Sequence, residues 1–336
     1  MIGEYMSEGL RRDDCLKIAR MSKHQYYYRQ TGSKPGRRAS VCTNYRDPDT
    51  QEIVKVSNEE VLAKIVEIKL DPDLSNHYRL ICFALCLQGY YINHKKVYRL
   101  MNEQQLLEEP RKRTGRDFVK FRRVAPSGPL EVLEMDIKYV WIYEKSRYGY
   151  ILTVIDTFSR YVLHWDVGYS MKSIQVKQVW DYIVLHYLQD KRLKEGPIEI
   201  EVRNDNGKQF NSNLIIDYFK ANDMTQVFTH PYTPEENGHI ESFHKTLGKA
   251  LKQEVFTSLS SVRDRLNRFY ASYNNNRSHG STKGLPPALF WVLHEKGYID
   301  VKINEKRKST YKLRVALQDI HLLDNIDKYH YRVNQT

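Results

Sequence analysis

The chain has 336 residues, 41% hydrophobic and 28% charged, which is enough for two or three domains with at least one full core and too apolar for a disordered protein. A formal net charge of +12 favours a polyanionic partner, of which nucleic acid is the usual one. Cys15, Cys42, Cys82 and Cys86 are too scattered for a disulfide scaffold, and no C-x-x-C or H-x-x-x-H pair marks a zinc site. With no signal peptide and no apolar run of spanning length, a membrane is not expected and the cytoplasm is the expected compartment.

Residues 1–32 read as two short helices around GLRRDDCLKIARM and KHQYYYRQ, with Ser22 placed to cap the second. Helix, turn, helix with aromatic and basic side chains is the outline of a helix-turn-helix. Residues 33–56, rich in Gly, Pro, Ser and Arg, read as a linker. A helical unit over 57–108 follows. NEEVLAKIVEIKL is capped by Ser57 or Asn58, YRLICFALCLQG carries Cys82 and Cys86 as core residues, and INHKKVYRLMNEQQLL has Val97, Leu100 and Met101 facing inward. Lys95, Lys96 and Arg99 then share the outer face with His94, an arrangement suited to lying against DNA. Residues 109–128 form a basic linker; between Arg111 and Arg123 stand seven basic residues and one acidic, among them Arg111, Lys112, Arg113, Arg122 and Arg123, a strap suited to phosphates.

From residue 129 to 295 the pattern changes. EVLEMDIKYVWI, YGYILTVIDTF and RYVLHWDVG read as three successive strands, MKSIQVKQVWDYIVLHYLQD as an amphipathic helix, and IEIEVR as a fourth strand. NSNLIIDYFKAN is then a helix, TQVF a fifth short strand, and a further helix follows. The order βββαβαβα is that of the ribonuclease H-like fold, an α/β class with a mixed five-stranded sheet flanked by helices. Residues 296–336 alternate like short strands and are expected to form a small β-rich appendage.

Phosphodiester chemistry commonly uses two Mg²⁺ ions, and Mg²⁺ takes hard oxygen ligands, so such a site gathers carboxylates from different elements. Asp136 interrupts LEMDIKYV inside the first strand, where Asp is disfavoured. Asp205 follows the fourth strand in VRNDNGKQF, where ligands of open sheets collect, although an Asp that only stabilises a turn would look the same. Among the glutamates of HPYTPEENGHIESFHKTL, Glu235 and Glu236 fit either a helix start capped by Thr233 or a loop before it. Glu241 lies off the buried stripe of Ile240, Phe243, Leu247 and Leu251, beside Lys245 and Lys252. That position suits either a ligand above the sheet or a surface pair with Lys245.

MDIKYV, NDNGKQF and NGHIESFHKTL, with thirty-five residues of spacing between Asp205 and Glu241, resemble the three blocks of the D,D(35)E core of retroviral integrases and bacterial insertion-sequence transposases. The likeness is to the transposases whose second reading frame carries that core. It extends to the YRLM helix and to RSHGSTKGLPPALFW, covering about residues 57–292. Leu133 stands where the family often has Trp. Gly248 stands where it often has a basic residue, with Lys245 and Lys249 as the nearest replacements. The resemblance implies Asp136, Asp205 and Glu241 as ligands of Mg²⁺, two ions with Mn²⁺ as a substitute, and phosphate contacts from Lys245, Lys249 and Lys252. It implies a DNA transposase that cuts terminal inverted repeats and transfers the freed 3′-OH to target DNA, as a dimer or larger, in the bacterial nucleoid. A separate upstream-frame helix-turn-helix protein is an expected partner. Asp156 matches a family position and is expected to support the hairpin. The alternatives are a nuclease of the same fold without strand transfer and a captured DNA-binding protein without catalysis.

Overall fold

The computed structural model describes residues 2–28, 39–48, 50–108, 124–196, 198–229, 237–305 and 309–323. The chain divides into two compact units, residues 1–41 and residues 42–336.

The first unit holds three short helices, α1 (Ile2–Ser7), α2 (Arg12–Ile18) and α3 (Lys23–Tyr27). Ser22 caps α3 in a reciprocal capping box with Gln25, as the sequence suggests. Cys15 and Leu16 are its buried apolar side chains, and Arg12 donates to the Tyr27 hydroxyl at 2.6 Å. The helix α1 was not anticipated by the periodicity.

The second unit begins with a difference from expectation. Residues 42–57, read as linker, form an antiparallel pair, β1 (Cys42–Arg46) and β2 (Ile53–Ser57), with the short β3 (Tyr90–Tyr91) on the other side of β1. The turn between them is polar, and Asp47 accepts the Thr50 N–H, which is why its composition imitates a linker. The helices α4 (Asn58–Leu70), α5 (Tyr78–Leu87) and α6 (His94–Glu103) follow. Ser57 and Glu60 make the capping box that starts α4. Val61, Ile65, Ile81, Leu85, Val97 and Met101 form a shared core with Cys82 and Cys86, the packing role expected of those thiols.

The five-stranded sheet consists of β4 (Val132–Ile142), β5 (Arg147–Asp156), β6 (Val162–Gly168), β7 (Ile200–Asn204) and β8 (Met224–Phe228), in the order β6-β5-β4-β7-β8. The first three strands pair antiparallel and β4, β7 and β8 run parallel, the mixed sheet of the ribonuclease H-like fold. One face is covered by α7 (Ser173–Ile183), continued through a wide π turn over Val184–Leu188 into α8 (Gln189–Glu195), and by α9 (Asn213–Ala221). The other is covered by α10 (Gly238–Leu251) and α11 (Leu259–Asn275). Asp156 is fully buried and accepts from the Leu130 and Ser159 backbone N–H groups, fixing the turn after β5. Beyond the sheet, α12 (Pro287–Glu295) packs on the hairpin of β9 (Ile299–Ile303) and β10 (Ser309–Leu313), the small β appendage expected there. Among the described residues no helix is long and apolar enough to cross a membrane.

Two buried polar contacts lead to measurable consequences. Arg265 on α11, 2% exposed, donates to both oxygens of Asp73 at 3.0 and 2.6 Å and so ties the loop after α4 to the sheet domain. Arg265 also lies 2.8 Å from the more exposed Glu254 carboxylate, so D73A removes the more buried of its two partners and is expected to lower stability by about 2 kcal/mol in denaturant unfolding. A loss under about 0.5 kcal/mol would show the pair to be dispensable.

His164 on β6 stacks on Tyr182 with ring centroids 3.9 Å apart, and burial pushes its pKa down to about 4. The unfolded chain therefore takes up a proton near the ordinary histidine value that the folded chain refuses until about pH 4. Stability is fully present above the unfolded value and declines as pH falls from about 6.5 toward 4. Melting temperatures at pH 7 and pH 5 are expected to differ less in H164Q than in the parent; an equal difference would assign the acid sensitivity elsewhere.

Candidate active site

The alternation of β4 creates the site. Leu133 and Met135 point into the core beneath α7 and α9, whereas Val140 and Ile142 point toward α10 and α11. Glu134, Asp136 and Lys138 therefore share the face on which α10 lies. The parallel pairing of β4 with β7 sets Glu134 opposite Arg203. Asp136 lies two residues beyond Glu134 on β4, and Asp205, two residues beyond Arg203, follows the last residue of β7.

The two carboxylates feel each other. The Asp205 carboxyl is raised above its ordinary value, first by the protein packed around it and further by the Asp136 charge, while the Gly207 N–H, donating at 3.0 Å, acts in the opposite sense. Asp136 accepts the Ile137 N–H at 2.7 Å on one oxygen and faces His244 Nδ1 at 3.2 Å with the other.

Glu241 lies in the first turn of α10, half-buried, with Ile240, Phe243, Leu247 and Leu251 beneath it in the stripe the sequence predicts. The helix α10 lies on the sheet face that carries Asp136. Among the described residues, however, no group of three His, Cys, Asp or Glu side chains gathers closely enough to hold a metal ion. The oxygen of Asp136 nearest α10 is directed at His244 instead. Glu235 and Glu236 lie outside the described residues.

Glu134, His239 and Lys138 all escaped the sequence reading. Glu134, with no exposed surface, accepts the Ile240 N–H at 2.8 Å and meets His239 Nδ1 at 2.7 Å. The only hint in the sequence is that a strand-interior Glu two residues from Asp136 is as out of place as Asp136 itself. Lys138 is the third. A Cβ on Gly248 would stand 3.3 Å from both Lys138 Cε and Nζ, so the end of Lys138 lies over α10 at the position where a larger residue would project. Burial lowers the Lys138 pKa, with Asp136 opposing that shift and Lys252 adding to it.

The expected phosphate contacts divide. Lys95 on α6 and Lys245, Lys249 and Lys252 on or just after α10 are exposed. Lys96 is not an open cation: its ammonium donates to the Cys42 carbonyl and the Thr43 hydroxyl, both at 2.7 Å, and binds α6 to β1. Arg99 pairs with Glu103 one turn along the same helix at 3.1 Å. Arg111, Lys112, Arg113, Arg122 and Arg123 lie outside the described residues.

Two family models, each described as an integrase core domain, match residues 126–234 and 222–287. A 39.2 kDa uncharacterized protein of insertion element IS476 from Xanthomonas euvesicatoria is 30% identical over 201 residues, 59% of this chain and 55% of that protein. The chain thus spans little more than half the length of that relative. InsK of Escherichia coli K12, described as a transposase for insertion sequence element IS150, is 23% identical over 288 residues, covering 82% of this chain and 91% of that one. The HTLV-2 integrase catalytic core, solved with magnesium, is 15% identical over 48% of this chain and 95% of that one, with a TM-score of 0.36. The matched span of 126–287 encloses the whole five-stranded sheet, Asp136, Asp205 and α10. Residues 126–287 of the chain are thus similar to an integrase core domain, and the two relatives named here are proteins of bacterial insertion elements.

Proposed function

We propose that this chain cuts DNA at the ends of a mobile element and joins the freed 3′-OH to target DNA, with Asp136, Asp205 and Glu241 as ligands of two divalent cations. The observation that supports this reading is that Asp136 on β4 and Asp205, the residue that follows the neighbouring parallel strand β7, lie near enough for the Asp136 charge to add to the rise of the Asp205 carboxyl. Two hard anionic oxygen donors held together at a strand end fit Mg²⁺, or Mn²⁺ in its place. Bound there, divalent cations supply activation of the attacking oxygen and stabilisation of the leaving one.

The chain's own residues do the rest. Asp136 and Asp205 hold their geometry through strand register and the Gly207 N–H, and Glu241 approaches from α10. In the first step a water oxygen bonds to the scissile phosphorus and the 3′ oxygen leaves as the bond to it breaks. In the second that 3′ oxygen attacks a target phosphorus and displaces a target 3′ oxygen. Neither step needs a covalent bond to the protein. Lys138, Lys245, Lys249 and Lys252 border the same face and are positioned for the phosphates on either side of the reacting bond. Terminal inverted repeats and target DNA are the substrates, and joining two ends calls for a dimer or larger assembly on DNA, with an upstream-frame helix-turn-helix protein as a candidate partner.

D205N is expected to lower Mg²⁺-dependent cleavage of terminal-repeat DNA by about 1,000-fold or more, with binding in gel shift changed by less than about threefold. Undiminished cleavage in D205N sinks the assignment. Nicked ends without joined products in the parent chain would point to a nuclease, and binding without any cleavage to a captured DNA-binding protein.

A further inference from the structure

The first turn of α10 lacks the cap that its sequence offers. Asn237 occupies the N-cap position and is a residue type suited to it, yet its side chain makes no capping hydrogen bond. The backbone N–H of Ile240, at the third helical position, is one that an N-cap side chain ordinarily receives. Here it donates to Glu134, which reaches it from the middle of β4 at 2.8 Å, while the other oxygen of that carboxylate meets His239 Nδ1 at 2.7 Å. The cap is therefore supplied across the fold, by a side chain with no exposed surface and 106 residues distant in sequence.

We propose that Glu134 is a positioning residue for Glu241, fixing the first turn of α10 against the strand that carries Asp136. The argument is geometric. Glu134 and Asp136 stand two residues apart on one face of one strand, about 6.6 Å along it. Glu134 grips residues 239 and 240, and Glu241 is the next residue of the helix. The spacing between Asp136 and Glu241 is thereby reduced to one rigid strand step, two hydrogen bonds and one helical residue. A carboxylate aimed at a helix N-terminus is also favoured by the helix dipole, so the tether is directional as well as short. His244 facing Asp136 at 3.2 Å adds a second fastening one turn along. No other side chain reaches the Ile240 N–H among the described residues. This inference rests on the reading of Glu241 as the third ligand.

The test compares E134A and E134Q in the full chain by amide hydrogen exchange and by cleavage of terminal-repeat DNA in Mg²⁺. In E134A, exchange over residues 238–243 is expected to rise about tenfold or more while β4, β5 and α11 keep their protection. Cleavage is expected to fall about 10- to 100-fold, with the Mg²⁺ concentration for half-maximal rate shifted upward and DNA affinity held within about threefold. E134Q keeps an acceptor for the Ile240 N–H and a partner for His239, and is expected to restore both protection and cleavage to within about fivefold of the parent. Unchanged protection at 238–243 in E134A, or a rise spread over the whole sheet domain, overturns the proposal. Should E134A not fold, E134Q decides alone: first-turn protection and cleavage both near the parent support it, and lost cleavage with protection intact overturns it. A parent chain that cuts nothing would overturn the reading of the site, while the exchange result would still decide the tether.

Discussion

The pairing of β4 with β7 sets Val132, Leu133 and Glu134 opposite Glu201, Val202 and Arg203, and a parallel pair continues in a single register. Every feature of the site follows from that register. A slip of one residue would turn Asp136 to the opposite face, into the core under α7, and would bring Leu133 or Met135 out beneath α10. The register is held by burial on one face, since Leu133, Met135 and Val202 have no exposed surface and contribute to the core beneath α7 and α9. Apolar packing on one face thus fixes where two mutually repelling carboxylates stand on the other.

The small helical domain shares in this rigidity. Asp73 and Arg265 join its α4–α5 loop to α11, and Arg277 adds a bond to the Leu74 carbonyl at 2.8 Å. On another side the Tyr91 hydroxyl meets Asp319 at 3.2 Å, and Leu317 packs against both the helical core and the cluster around α12. Leu317 and Asp319, after β10, thus connect the two. Lys96 illustrates the consequence for α6. An ammonium placed on the outer face by helical periodicity is consumed in holding β1, because a strand pair stands where the sequence suggested a linker.

Most of the sheet was legible because its signals are local. Alternating β-branched and aromatic runs gave five strands in the right order, and the 3.6-residue stripe of Ile240, Phe243, Leu247 and Leu251 gave α10. Asp136 and Asp205 were legible as anomalies against that pattern. What could not be read depends on partners far away in sequence. Glu134 looks like any acidic residue until α10 is laid over β4, and β1 and β2 are too short and too polar at their turn to outweigh a linker's composition. At Gly248, where the resemblance leads one to expect a basic residue, a replacement was sought on the same helix. The nearest ammonium comes from Lys138 on β4, a cross-element contact that no helical spacing reveals.

Successive residues on one face of β4 pass from structural to chemical in character. Glu134 is wholly enclosed and its charge is spent on the His239 ring and the first turn of α10. Asp136, its side chain 29% exposed, keeps one oxygen on its own strand and directs the other toward the helix. Lys138, half-buried on the same face, lays the end of its stem and its ammonium over Gly248. Burial decides these roles, because a carboxylate shut away from water is kept charged only by fixed donors and so becomes a fastening, whereas one left partly open retains lone pairs for a substrate or a cation. On β4 the enclosed Glu134 thus fastens the first turn of α10, while Asp136, two residues on, is the carboxylate left partly open on the same face.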